Sequence, residues 1–244
     1  MDFPAFSAMP FQAVLTNDLR SMIRSWLVRI WLILIAAQSL FMIAVSLDEE
    51  TTVAETLAGY LGLFPLVWST VVIIVSGGAV SSESGVVADS ILSKAITRTE
   101  YVAAKLTSRL MVVLGAFLAA TVPVSYIITE NATGPLDNAG LRWAFILVGL
   151  MLTLLTCLSV AFSALFNRTM VAIVLVWFAW YIAGSVTALF NADYLSPLAI
   201  IDNLPTLIEG HYDTDELLRT VVGFGGLAIG AMLATIYHFG HKDL

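Results

Sequence analysis

The stretch 81–109 reads SSESGVVADSILSKAITRTEYVAAKLTSR and is the longest polar interruption on the basic side of an otherwise apolar chain. Apolar runs long enough to cross a bilayer flank it on both sides, so it has to leave the membrane and fold back as a short structured element. Within it, 89–92 reads as a helical segment, 95–98 as a turn, and Thr99-Glu100-Tyr101 as the cap and start of the next helix. A helix–turn–helix of this kind makes a rigid knob. Charges on both of its faces suit docking to a soluble protein better than to lipid.

Composition agrees with a membrane setting. Apolar residues make up 59% of the 244 and charged residues only 12%, and the mean hydropathy is +0.91, which a soluble domain of this length would not show. At about 20 residues per crossing plus connections, the chain holds six helices and no separate soluble domain, so 1–244 reads as one transmembrane domain. The single cysteine, Cys157, lies in an apolar run and excludes an intramolecular disulfide framework. The first dozen residues lack the basic and apolar regions of a signal peptide, so the first apolar run is expected to stay as an anchor.

The spans fall at about 26–47, 57–80, 106–129, 143–166, 169–190 and 217–239. Ahead of them, 11–25 sets Phe11, Val14, Leu15, Leu19, Met22 and Ile23 at helical spacing, with Gln12, Asn17, Asp18, Arg20 and Arg24 on the other side. This pattern predicts an amphipathic helix in the interface plane; the plainer reading is an extension of the first span with snorkelling arginines. Gln38 near the middle of the first span is expected to bond a neighbouring helix, and Pro65 is placed to kink the second. Pro197 and Pro205 divide the connection 191–216, which predicts a short helix or two on the outer interface. In the last span Gly226 and Gly230 form a G-x-x-x-G step for close helix packing, within the chain or between two chains.

Alternate connections place nine of the eleven Lys and Arg on one side, and twelve of the eighteen Asp and Glu on the other. By the positive-inside rule both termini and the 81–109 stretch face the cytoplasm, and the acidic surface faces out. The sequence is expected to be a multi-pass protein of the plasma membrane.

The residues ESGVVADSILSKAITRTEYVAAK resemble the permease subunits of type-2 ATP-binding-cassette (ABC) transporters, six-span exporters. The likeness rests on Glu83 at the end of the second span, Gly85, Ile91-Leu92-Ser93, Thr97-Arg98, and Lys105 seven residues past Arg98. Ala95 and Ala104 depart from it, standing where that family usually has Pro and Gly. NDLRSMIRSWLVRIW is similar to the family's in-plane connecting helix, and YLSPLAIIDNL to the segment between its last two spans. The resemblance implies an all-α membrane protein of six transmembrane helices with an N-terminal in-plane amphipathic helix and a cytoplasmic coupling helix between spans 2 and 3. It implies an ABC-type ATPase partner, a homodimer or a pairing with a second permease, and ATP and Mg held only by the partner. Glu83, Gly85, Asp89, Leu92, Lys94, Thr97, Arg98, Glu100 and Lys105 are then the expected coupling interface, with Arg98 and Lys105 alternatively serving only as positive-inside anchors.

The chain has no G-x-x-x-x-G-K-[ST] loop, so a partner has to supply the energy, and no cofactor is expected on the chain itself. An intramembrane enzyme fits poorly. Of the three histidines His211 lies on the other side from His238 and His241, and no pair of carboxylates falls inside a span. Nothing in the sequence indicates a nucleic-acid partner. Two readings compete with an ABC permease: a secondary transporter, for which the mid-membrane polar set is thin, and a non-transporting component of envelope maturation.

Overall fold

The computed structural model describes residues 8–47, 51–83, 97–166, 168–190 and 192–241. Among them every regular element is helical apart from a single bridge between Thr52 and Thr133. Six helices are long and apolar enough to cross a membrane, as the hydropathy pattern predicts.

Helix α1 (Ala8–Arg24) leads to α2 (Trp26–Val45), the two separated by Ser25 in an extended conformation. The second span is α3 (Val53–Leu63), a π-helical turn (Phe64–Trp68) and α4 (Ser69–Gly77). Pro65 has no N–H to give, and the Leu61 carbonyl is met instead by the Phe64 N–H, so Pro65 widens the helix into a π turn. The remaining helices are α5 (Arg98–Asn131), α6 (Asn138–Leu165), α7 (Thr169–Leu189), α8 (Pro197–Ile208) and α9 (Thr214–His241).

Several helices outrun the apolar stretches that announced them, because their caps sit in polar flanks. Thr97 caps α5 and Glu100 answers it: Glu100 N–H donates to Thr97 Oγ1 at 3.2 Å, and Thr97 N–H donates to Glu100 Oε2 at 3.0 Å. The helix therefore starts at Arg98, eight residues ahead of the apolar span expected from 106, and its cap is Thr97 instead of Thr99. Thr52 and Glu55 form the same reciprocal box at the start of α3, and Asp137 caps α6.

Helix α6 is central. In its apolar window 61% of residues are buried, against 17% in α7 and 22% in α9, so the latter two leave broad apolar faces outward. Aromatic rings join the second, third and fourth spans: Phe64 meets Phe117 edge-on at 5.0 Å between centroids, and Phe117 is tilted against Phe145 at 6.0 Å.

Helix α8 does not lie flat across the acidic end. Its last residue, Ile208, accepts the Asp137 N–H at 2.8 Å, level with the start of α6. Its first turn lines a small cavity with Pro65, Trp180 and Gly184, and Ile201 lies against Gly62. Pro65 is twelve residues into the second span from Val53, about 18 Å at 1.5 Å per residue, and twelve residues of α8 cover the same length. The helix stands alongside α3, capped by Ser196 and begun by Pro197 at N1, with Pro205 accommodated inside it. The expected broken segment on the surface is thus one continuous helix sunk against the bundle. Its far end comes so near α6 that a Cβ on Gly140 would collide with the Leu207 carbonyl.

Candidate functional site

The charged residues of 81–109 that fall among the described residues meet α1 at the basic end. The packed stripe of α1 is Phe11, Val14, Leu15, Asp18 and Met22, and Asp18 sits in the middle of it. Asp18 Oδ1 accepts a hydrogen bond from Lys105 Nζ at 2.8 Å; Oδ2 lies 3.1 Å from Arg109 Nη1 and accepts from Ser108 Oγ. The carboxylate is only 7% exposed, and Lys105 also lies over the Tyr101 ring at 5.5 Å. The hydropathy pattern put Asp18 on the polar side of the helix; the structure buries it, because the two cations on consecutive turns of α5 give the carboxylate its partners.

The other end of the stretch is also tied down. Ser163 Oγ of α6 accepts both the Val80 and Ser81 N–H groups at 3.0 Å, and the Ser81 and Thr169 hydroxyls are 2.8 Å apart. Glu83 closes the 3-10 turn Ser81–Glu83 that follows. Of the expected interface residues, Thr97 and Glu100 form the cap of α5 and Lys105 belongs to the Asp18 junction, so the structure brings α1 and Lys105 together. Glu100 and Lys105 are buried and Arg98 is half-buried. Gly85, Asp89, Leu92 and Lys94, and with them the coupling helix, lie outside the described residues.

Inside the bundle the polar groups mostly serve one another. Gln38 Oε1 accepts from Trp68 Nε1, the interhelical bond expected of it. Thr153, Thr156 and Ser159 donate to carbonyls four residues back, as hydroxyls in apolar helices do. The π turn has a dedicated set of partners on α7: Trp180 Nε1 donates to the Pro65 carbonyl at 3.0 Å and the Tyr181 hydroxyl to the Leu66 carbonyl at 2.7 Å. Trp177 Nε1 adds a longer contact to Thr70 Oγ1 at 3.3 Å. Aromatic richness in the fifth span was visible in the sequence, but its pairing with the carbonyls around Pro65 was not.

At the acidic end a cleft of about 240 Å³ opens between α8 and α9. Its walls carry Asp193, Tyr194, Asn203, Tyr212, Asp213 and Glu216, over an apolar floor that includes Leu147, Ile200 and Leu217. In the sequence these acids belong to the acidic surface expected to face out. The signal that could have separated them is Gly223, where the 3-10 turn Asp193–Leu195 rests directly against α9.

Gly226 and Gly230 face outward from α9, and a Cβ at either would meet nothing within 4 Å. They pack no helix among the described residues. Compared with known families and curated proteins, the chain matches no family model and no curated sequence.

Proposed function

We propose that the chain is the membrane-spanning permease subunit of an ABC exporter, energised by a separate ATPase through the 81–105 element. The observation that carries this reading is the anchoring of both ends of that element by buried polar junctions. Ser163 and Thr169 hold the departing end, and Asp18 with the Thr97–Glu100 cap holds the returning end. Buried charge is costly, and holding it where two helices leave the bundle is reasonable if that place has to stay rigid under load. In this reading the basic end is cytoplasmic, both termini lie there, α1 is the in-plane helix and two permeases pair. Glu83 and Arg98 position the coupling helix, and Asp89, Leu92 and Lys94 make the contact.

A second reading, a secondary transporter, draws on the π turn beside the sunken α8, since interrupted helices commonly line solute paths in such proteins. Affinity purification of the tagged chain from mild detergent separates the two. Stoichiometric recovery of a P-loop ATPase, lost on Arg98→Glu with membrane insertion intact, supports the permease reading. Recovery of the chain alone, with uptake into vesicles driven by an ion gradient, refutes it.

A further inference from the structure

We propose that the elbow between α1 and α2 docks acidic phospholipids of the leaflet at the basic end, its arginines on the headgroup phosphate and its apolar side chains among the acyl chains. Helix α1 packs on α5 through the stripe that holds Asp18, which Lys105 and Arg109 grip at the foot of the apolar stretch of α5. At about 3.6 residues per turn, Arg20 and Arg24 fall on the side of α1 turned away from that stripe, and both are exposed. The outward face of α1 therefore looks sideways from the bundle, at the level where α2 enters the membrane at Trp26. Surrounding lipid carries its headgroups at that level.

The face holds positive charge without a counter-charge. Asp18 is the one carboxylate of α1, and it is engaged by Lys105 and Arg109, while Arg20 and Arg24 make no hydrogen bond or ion pair among the described residues. Arg29, in the first turn of α2, folds back over the elbow. Its Nε donates to the Ile23 carbonyl at 3.3 Å, which brings a third exposed guanidinium beside the end of α1. Among these cations Ile23 is 60% exposed and Trp26 72%. A nucleic acid would meet the charge and leave both apolar side chains bare. A phosphodiester carried on acyl chains meets both, with paired guanidinium N–H groups suited to phosphate oxygens and tryptophan favoured at the membrane interface. A zwitterionic headgroup offers the same phosphate but adds a cation that three arginines repel, so the surface selects acidic lipid.

This inference rests on the six membrane-crossing helices and not on the permease reading, so either can fail while the other stands. The test is native mass spectrometry of the full chain released from mild detergent, titrated with phosphatidylglycerol or with phosphatidylcholine of the same acyl chains, and with inorganic phosphate as competitor. Because each arginine near an anionic headgroup is worth about fivefold, phosphatidylglycerol is expected to bind about tenfold or more tightly than phosphatidylcholine. By the same measure Arg24→Gln is expected to weaken phosphatidylglycerol about fivefold. The triple variant Arg20→Gln, Arg24→Gln and Arg29→Gln is expected to bind the two lipids alike, and Arg219→Gln, at the opposite end of the bundle, to keep the preference. Ile23→Ser with Trp26→Ser is expected to weaken both lipids equally. Arg20 and Arg24 are exposed, so the thermal transition of Arg20→Gln with Arg24→Gln in lipid-free detergent is expected to match that of the unchanged chain, which separates lost binding from lost folding. Equal affinity for the two lipids in the unchanged chain, a preference that survives in the triple variant, or displacement of phosphatidylglycerol by millimolar inorganic phosphate would each overturn the proposal. So would a protein that co-purifies through Arg24 in place of lipid.

Discussion

Replacing Asp18 by Ala tests how the basic end is held together. The substitution leaves Lys105 and Arg109, one turn apart on α5, facing each other in a site where the native carboxylate is 7% exposed. At an effective dielectric of about 20, unit charges at 2.8 and 3.1 Å attract by roughly 6 and 5 kcal/mol, before the opposing desolvation is counted. Removing one partner of a buried pair costs about 3–5 kcal/mol, because the remaining charge keeps its desolvation while its attraction to that partner is lost. The cost falls on the docking of α1. Amide hydrogen exchange across residues 8–24 is therefore expected to speed up by about a hundredfold or more, at roughly 1.4 kcal/mol per factor of ten. Combining Asp18→Leu with Lys105→Met and Arg109→Met removes all three charges and is expected to restore most of the protection, since apolar replacements of a buried ion cluster are often neutral. If Asp18→Ala changes the exchange by less than about fivefold, α1 is held by its apolar stripe alone and the junction carries no weight.

Four further outcomes follow from local geometry. Trp180→Phe leaves the Pro65 carbonyl without its donor inside the bundle and is expected to destabilise by about 1–3 kcal/mol, read as a lower thermal transition in detergent, with Tyr181→Phe milder because Ser69 Oγ also reaches the Leu66 carbonyl. Gly140→Ala is expected to abolish stable expression, because Leu207 C and Ile208 Cα lie 3.0 and 3.3 Å from the new Cβ. The pair Gly226→Ala and Gly230→Ala, with open space at both positions, is expected to leave monomer stability within about 1 kcal/mol. Thr97→Ala removes one arm of the α5 cap and is expected to cost about 1 kcal/mol, seen as faster exchange confined to the first turn of that helix.

What the sequence made legible was what hydropathy and capping rules encode. Six apolar runs became six long helices, the break at Pro65 is real, and Gln38 found a neighbouring helix. What stayed hidden depended on partners distant in sequence. Asp18 looks like a solvent-facing residue until Lys105 and Arg109, some ninety residues away, are seen to surround it. The same holds for α8. Two prolines in twelve residues read as breakage, yet Pro197 is at a favourable first position and Pro205 lies in the last turns, where few intrahelical bonds are lost. Gly226 and Gly230 form a legible packing motif yet meet nothing within 4 Å among the described residues, while Gly140 and Gly223, which make close approaches, belong to no motif.

The arrangement of buried polar groups gives the 81–109 stretch a mechanical setting. Helix α5 is unbroken from Arg98 to Asn131, 34 residues or about 50 Å, and passes through Pro123 without interruption. At its basic end it carries the Thr97–Glu100 cap and the Asp18 junction. Just past its far end Thr133 accepts the Val53 N–H at 3.0 Å, beside the cap of α3. A force applied to 84–96 therefore reaches two different structures. Through α5 it acts on α1 and on the start of the second span, and through Ser81 it acts on α6 and α7. The π turn lies between those two points of application, within the second span. Because Trp180 and Tyr181 hold its carbonyls from α7, bending the second span at Pro65 requires either that α7 moves with it or that these bonds break. Moving α7 is the less costly course, since only 17% of its apolar window is buried while α6 holds the centre of the bundle.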